Sequence, residues 1–126
     1  MQKLQFEPSW NKTLSPKDRK IIEGIYLETT LSNHADIELT PLRQAINHKG
    51  ELLVTVLVHN FSQQVLLFHN KKLRYIENEE IIAEHIFSLP SLIIQRETSM
   101  PWTFIFPVES LKKPATLEKG HLEFVD

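Results

Sequence analysis

Six histidines stand in a chain of 126 residues, and they are the first side chains to test for chemistry. A metal site needs several ligands converging to about 2.1 Å from one ion. No H-x-H, H-x-x-H or H-E-x-x-H spacing occurs. His34, His48, His59 and His69 each adjoin an asparagine, which is the composition of turns and strand ends. Glu84-His85 and the cluster Glu77, Glu79 and Glu80 hold the carboxylates and imidazole that general acid–base catalysis uses. Neighbouring residues on a strand face opposite sides, so Glu84 and His85 would not work on one atom. No serine sits in a G-x-S-x-G elbow, and three glycines are too few for a phosphate-cradling loop. The absence of cysteine removes disulfides, thiolate zinc sites, iron–sulfur ligation, a thiol nucleophile and lipoprotein-type acylation. The expectation is no catalytic residue, no cofactor and no metal site.

Two clusters could bind without catalysing. Lys71, Lys72 and Arg74, with Phe68 and Tyr75 beside them, have the mix of a single-strand nucleic-acid surface. The acidic run that follows offsets their field, so a solvated hairpin is the better reading. Trp102, Phe104 and Phe106 alternate, which places all three in a core, although Met100-Pro101-Trp102 could also form the lip of a groove.

The whole-chain balance agrees. A net charge of −2 and a pI near 6.3 supply no field to recruit nucleic acid or an anionic membrane. Hydrophobic and charged fractions of 41% and 24% are those of a globular protein. The N-terminal residues from Met1 to Pro8 hold no apolar run of signal-peptide length. No apolar stretch approaches the ~20 residues that cross a bilayer, so no membrane insertion is expected. Asn11-Lys12-Thr13 and Asn60-Phe61-Ser62 match the glycosylation pattern, which would matter only in a secreted eukaryotic protein. The reading is a cytoplasmic protein.

The elements that must carry these residues divide into an arm with one helix and a run of strands. Residues 1–14 read as extended and irregular. Ser15-Pro16-Lys17-Asp18 starts a helix, with Ser15 as cap, Pro16 in the first turn and Asp18 closing the capping box. Ile21, Ile22, Ile25 and Tyr26 give it one apolar stripe, and it ends near Thr29 or Thr30. Residues 31–35 are a linker with turn chemistry at Asn33. From Asp36 the period falls to two. Ile37 to Leu42 is an edge or bulged strand because of Pro41. Asn47 to Gly50 is a hairpin turn. Glu51 to His59 is the strongest strand; Val65 to Phe68 and Leu73 to Tyr75 flank a break at His69-Asn70. Glu80 to Leu89 ends at Pro90, Leu92 to Ile94 is short, 95–101 is a loop, Trp102 to Phe106 is a strand, and His121 to Val125 closes the chain. The echo of Val56–Gln64 in Leu66–Lys72 is read as successive strand ends and not as a repeat.

Seven or so short strands separated by turns predict a mainly β chain, an immunoglobulin-like antiparallel sandwich with one N-terminal α-helix. It would be a single domain over 1–126, with an arm and helix at 1–35 and the sandwich at 36–126. The strand 51–59 is apolar on both faces: Leu52, Val54, Val56 and Val58 on one, Leu53 and Leu57 on the other. A sandwich strand buries one face, so the Ile21, Ile22 and Ile25 stripe is expected to cover the second, within its own chain or across a dimer.

Three stretches carry a family resemblance: W-N-K-T-L-S-P-K-D from Trp10, N-H-K-G-E-L-L-V-T-V-L-V-H-N from Asn47, and L-R-Y-I-E-N-E-E-I-I-A-E-H-I-F-S-L from Leu73 with T-S-M-P-W-T-F-I-F-P up to Pro107. Over roughly residues 6–110 the chain resembles the SLAP-type domain of Bacillus-like Gram-positive bacteria. The resemblance implies an intracellular, non-enzymatic interaction role. That domain is duplicated in an S-layer assembly protein associated with the accessory Sec system, whereas one copy is present here. Its motifs are structural and carry over no catalytic or ligand residue. The expected function is therefore an interaction or adaptor module with a protein partner, or with itself as a homo-oligomer, and no nucleic acid. Leu53, Leu57, Ile21, Ile22, Ile25 and Trp102 are the expected interaction surface. The rival is a small-ligand or metal-binding sandwich that uses the histidines.

Overall fold

Ser15 and Pro16 start the long helix as their chemistry requires. In the computed structural model, which describes residues 2–30 and 35–125, helix α2 runs Pro16–Thr30 and the Ser15 hydroxyl accepts from the Asp18 amide at 3.1 Å. Ahead of it lie two elements that periodicity did not reveal. A two-residue strand β1 (Lys3–Leu4) is followed by a short helix α1 (Pro8–Thr13). Pro8 presets the first turn of α1, and the Glu7 carboxylate accepts from the Ser9 amide. Six residues are too few to print a helical period. The linker predicted at Leu31 to Ala35 falls almost wholly outside the described residues.

Six further strands follow: β2 (Ile37–Ile46), β3 (Leu52–Asn60), β4 (Leu66–Glu77), β5 (Glu80–Ile94), β6 (Thr98–Phe106) and β7 (His121–Val125). They form a four-stranded sheet, β1-β6-β3-β2, and a three-stranded sheet, β5-β4-β7. Every pairing is antiparallel except that of β1 with β6. The chain is mainly β, two packed sheets with helix at the N-terminus, and this arrangement is consistent with the immunoglobulin-like expectation.

Alternation decides what is buried. Leu52, Val54, Val56 and Val58 point inward with Phe104 and Phe106, and meet Phe68, Leu73, Tyr75, Phe87 and Ile94 from the other sheet. Phe87 lies edge-on to both Phe104 and Phe106, with ring centroids 5.2 Å apart in each pair. Aromatic contacts of this kind add about 0.5–1.5 kcal/mol beyond the area they bury.

Four strands run further than their sequences announced. β2 continues past Pro41 to Ile46 as an edge strand, with a register shift between Pro41 and Arg43. β4 passes through the predicted break because Asn70 takes the left-handed φ of 52° and the ladder shifts around it. β5 passes through Pro90 because it is the edge of its sheet, where a missing N–H is tolerated. β6 likewise begins at Thr98, inside the predicted loop.

Candidate functional site

The bulge in β2 is where the site begins. It carries Leu42 and Arg43 together onto the outer side of the four-stranded sheet, next to Ala45, Leu53, Thr55 and Thr103. Above this floor stand Trp10 and Leu14, from α1 and its cap, and Asp18, Ile21 and Ile22 of α2. Between helices and sheet lies an open groove of about 350 Å³. Its lining is mostly aliphatic, with Arg43 and Asp18 as the charged members and no histidine.

Helix α2 holds the sheet by a narrow contact. Ile22 is its one buried residue among those described, with Ile25, Tyr26 and Thr29 half-buried along the same face. Burial also pushes the Tyr26 phenol above its ordinary pKa. Leu57, whose side chain points to the outer face of β3, is fully buried, whereas Leu53 nearer the groove is half-buried. The second apolar face of β3 is thus covered by α2 of its own chain at the Leu57 end and open at the Leu53 end.

At the covered end a polar knot fixes the helix. His59 is fully buried. Its Nδ1 lies 2.6 Å from the Ser99 Oγ and its Nε2 lies 2.9 Å from the Thr29 Oγ1, so one imidazole joins β3, β6 and the end of α2. Gln2 donates to the same Ser99 hydroxyl, and the His59 ring stacks on Phe61 at 5.0 Å. Asn60 donates to the carbonyls of Gln64, Ile94 and Gln95, tying the ends of β3 and β5 together. A serine, a histidine and a threonine in contact would suit nucleophilic catalysis only with access and an oxyanion site. Here they lie beneath the helix, away from the groove, and act as structure.

Glu77, which the sequence offered as an acid–base group, is 2% exposed. Its carboxylate accepts from the Tyr75 hydroxyl at 2.7 Å, the Thr116 amide at 2.9 Å, the Thr116 hydroxyl at 3.1 Å and the Leu117 amide at 2.9 Å. Burial alone would raise its pKa, but these donors outweigh it and hold the carboxyl below its ordinary value. Burial, followed by the Glu77 hydrogen bond and charge, pushes the Tyr75 phenol well up. The pair pins the segment that joins β6 to β7.

The basic patch resolves differently. Arg74 donates to Glu84 and holds its carboxyl down, with Lys72 at 3.8 Å and Lys112 at 3.5 Å adding to the effect. Lys72 and Arg74 therefore share an anion on the outer face of the three-stranded sheet. Glu84 and His85 do face opposite sides: Glu84 meets these cations, while His85 packs edge-on to the core residue Phe87. Among the described residues, no group of three His, Cys, Asp or Glu side chains is placed to hold a metal ion. No helix among them is long and apolar enough to cross a membrane.

Of the six residues expected to form an interaction surface, the groove gathers Ile21, Ile22 and Leu53. Ile25, half-buried on the inner side of α2, and the buried Leu57 are not among its lining residues. Trp102 is on the opposite side of the sheet: it pairs with Val56, packs on the core and is half-buried at its rim. Sequence reasoning missed Trp10, Leu14 and Leu42 as members of the site. The first two stood in a segment read as irregular, and Leu42, outward by alternation from Thr40, joins the site with Arg43 and Ala45 because the bulge after Pro41 brings those two onto its side.

Comparison with curated proteins and with solved structures gives no match. The family comparison does: the SLAP domain model matches residues 4–123, nearly the whole chain and all of the elements described above except Lys3 of β1 and the last residues of β7. With that coverage, the chain belongs to the SLAP domain family.

Proposed function

We propose that this chain is a non-catalytic interaction module that docks an apolar segment of another protein in the groove beneath α1 and α2. The observation that carries this reading is Ile21. It is 51% exposed beside a buried neighbour, Ile22, and faces the aliphatic floor made by Leu42, Ala45 and Leu53. Apolar area left open in this way gains roughly 25 cal/mol for each Å² that a partner removes from water. Laying an amphipathic element in such a groove is a recurrent mode of peptide recognition.

Family membership points towards S-layer assembly or the accessory Sec system. We assign this chain an adaptor role there, on the cytoplasmic side, holding a protein segment without chemically altering it. A groove of about 350 Å³ also falls within the ~300–1,000 Å³ of small-ligand sites. A small apolar ligand is therefore the second reading.

Photo-crosslinking in native cytosol separates the two. A crosslinker placed at position 21 is compared with one at position 93, on the other sheet, and the purified protein is weighed by native mass spectrometry. A protein adduct specific to position 21 is the expected result. A co-purifying small molecule with no such adduct would favour the second reading. Stoichiometric metal on elemental analysis would overturn both.

A further inference from the structure

β6 has two edges, and only one is paired along its length. On the first, β3 pairs with every residue from Thr98 to Phe106. On the second, β1 pairs with Thr98 and Ser99 alone. The bonds on that side go from the Lys3 amide to the Glu97 carbonyl and from the Gln5 amide to the Ser99 carbonyl. Backbone groups alternate sides along a strand with a period of two, and the β3–β6 register is unbroken. The carbonyl of Pro101 and the amides and carbonyls of Thr103 and Ile105 therefore face the same open edge as Glu97 and Ser99. Among the described residues, no strand pairs with this stretch. Pro101 stands where its missing N–H costs nothing to the β3 ladder, and Pro107 stops the strand at the other end. The open edge is a window of five residues, 102–106, with a proline on either side.

We propose that this window pairs with the same window of a second copy of the chain. Antiparallel self-pairing centred on Phe104 sets Thr103 opposite Ile105 of the second copy, and Ile105 opposite its Thr103. Both are outward-facing positions, so each pair exchanges two backbone hydrogen bonds. One residue further out, Pro101 would oppose Pro107 of the second copy, and neither has an N–H to give. The pairing therefore ends where the prolines stand, and β1 occupies only the part of the edge beyond it. Other antiparallel registers place a proline inside the ladder or an inward-facing group against an outward one. The side chain that gains most is Ile105, which is 49% exposed and lies on the outer face beside Leu53. Such a dimer has a two-fold axis perpendicular to the sheet and the strand order β2-β3-β6-β6-β3-β2. Both grooves then open on the same side, suited to a partner presented in more than one copy. The dimer stands or falls independently of what the groove holds.

The test combines oligomeric state with register. Sedimentation equilibrium of the full chain is expected to show a monomer–dimer equilibrium. Ile105→Pro removes only an outward N–H, as Pro101 already does, and should weaken the dimer at least about tenfold while the circular dichroism stays native. Ile105→Lys, which leaves the backbone intact, should weaken it in the same direction. A monomer at all concentrations, or a dimer indifferent to both substitutions, would overturn the proposal. Register is read by mixing Thr103→Cys and Ile105→Cys proteins under mild oxidation, in a chain with no other cysteine. Opposed residues in a hydrogen-bonded pair lie about 5.5 Å apart at Cα, within disulfide reach. A disulfide mainly between unlike variants supports the pairing, and a statistical or absent one contradicts it.

Discussion

Glu77→Ala should cost about 2–4 kcal/mol of folding stability, because the lost carboxylate serves four donors at once. Each buried donor left without an acceptor costs about 1–3 kcal/mol. The two hydroxyls can turn towards other acceptors, and Thr116 lies near solvent, so the sum falls well short of four full penalties. The Thr116 and Leu117 amides have no such freedom. A domain of this size has about 5–15 kcal/mol in hand, so the melting temperature should fall by roughly 10 °C. The pH dependence makes the test sharper. The folded-state pKa of Glu77 is lowered, so its contribution is fully present above the unfolded value of about 4.3 and is lost as pH falls through the folded value. Urea denaturation of wild type and Glu77→Ala should therefore differ most at neutral pH and converge in acid. A difference below about 0.5 kcal/mol at pH 7, or parallel pH profiles in the two proteins, would refute the reasoning.

The same region is sensitive to a single added carbon: a Cβ at Gly120 would lie 2.0 Å from the Tyr75 hydroxyl oxygen, so Gly120→Ala should destabilise by at least about 1–3 kcal/mol in thermal melts. Phe104→Ala, at a side chain 1% exposed, should cost ~3–5 kcal/mol, and Trp102→Ala distinctly less because it is only half-buried. Equal losses at the two positions would show that Trp102 is core throughout. Deleting residues 1–30 removes β1, both helices and the Thr29 partner of His59, and uncovers Leu57; aggregation or loss of cooperative unfolding is expected, and a truncated chain of unchanged stability would show that the helices cover nothing.

Much of this architecture is legible in the residues, for reasons that differ by element. The two-sided apolar pattern of β3 demands a cover for its second face, and the α2 stripe supplies it at the Leu57 end, leaving the Leu53 end open. Pro41 announces an edge strand with a bulge, and Ser15-Pro16 announces a helix start. Polar residues are where the sequence misleads. His59 and Glu77 look like strand-end groups free for solvent or chemistry, yet both are buried, because their partners come from Ser99 and Thr29 in one case and from Thr116 and Leu117 in the other. Partners 30 to 40 residues away leave no local signature. Breakers mislead in the opposite sense. Asn70 and Pro90 sit inside strands because a left-handed asparagine and an edge proline each cost little there. The groove escaped for a combined reason: it depends on a helix too short to show a period and on a bulge that brings Arg43 and Ala45 onto the same side as Leu42.

The most direct test of the groove is the affinity of the segment crosslinked at position 21 for three proteins, measured by titration calorimetry: wild type, Ile21→Asp and Ile93→Asp. Both isoleucines are about half exposed, at 51% and 45%, so neither substitution should unfold the chain. The account predicts at least about a tenfold loss of affinity, some 1.4 kcal/mol, for Ile21→Asp and none for Ile93→Asp. Equal affinity of wild type and Ile21→Asp, with both fully folded, would contradict it.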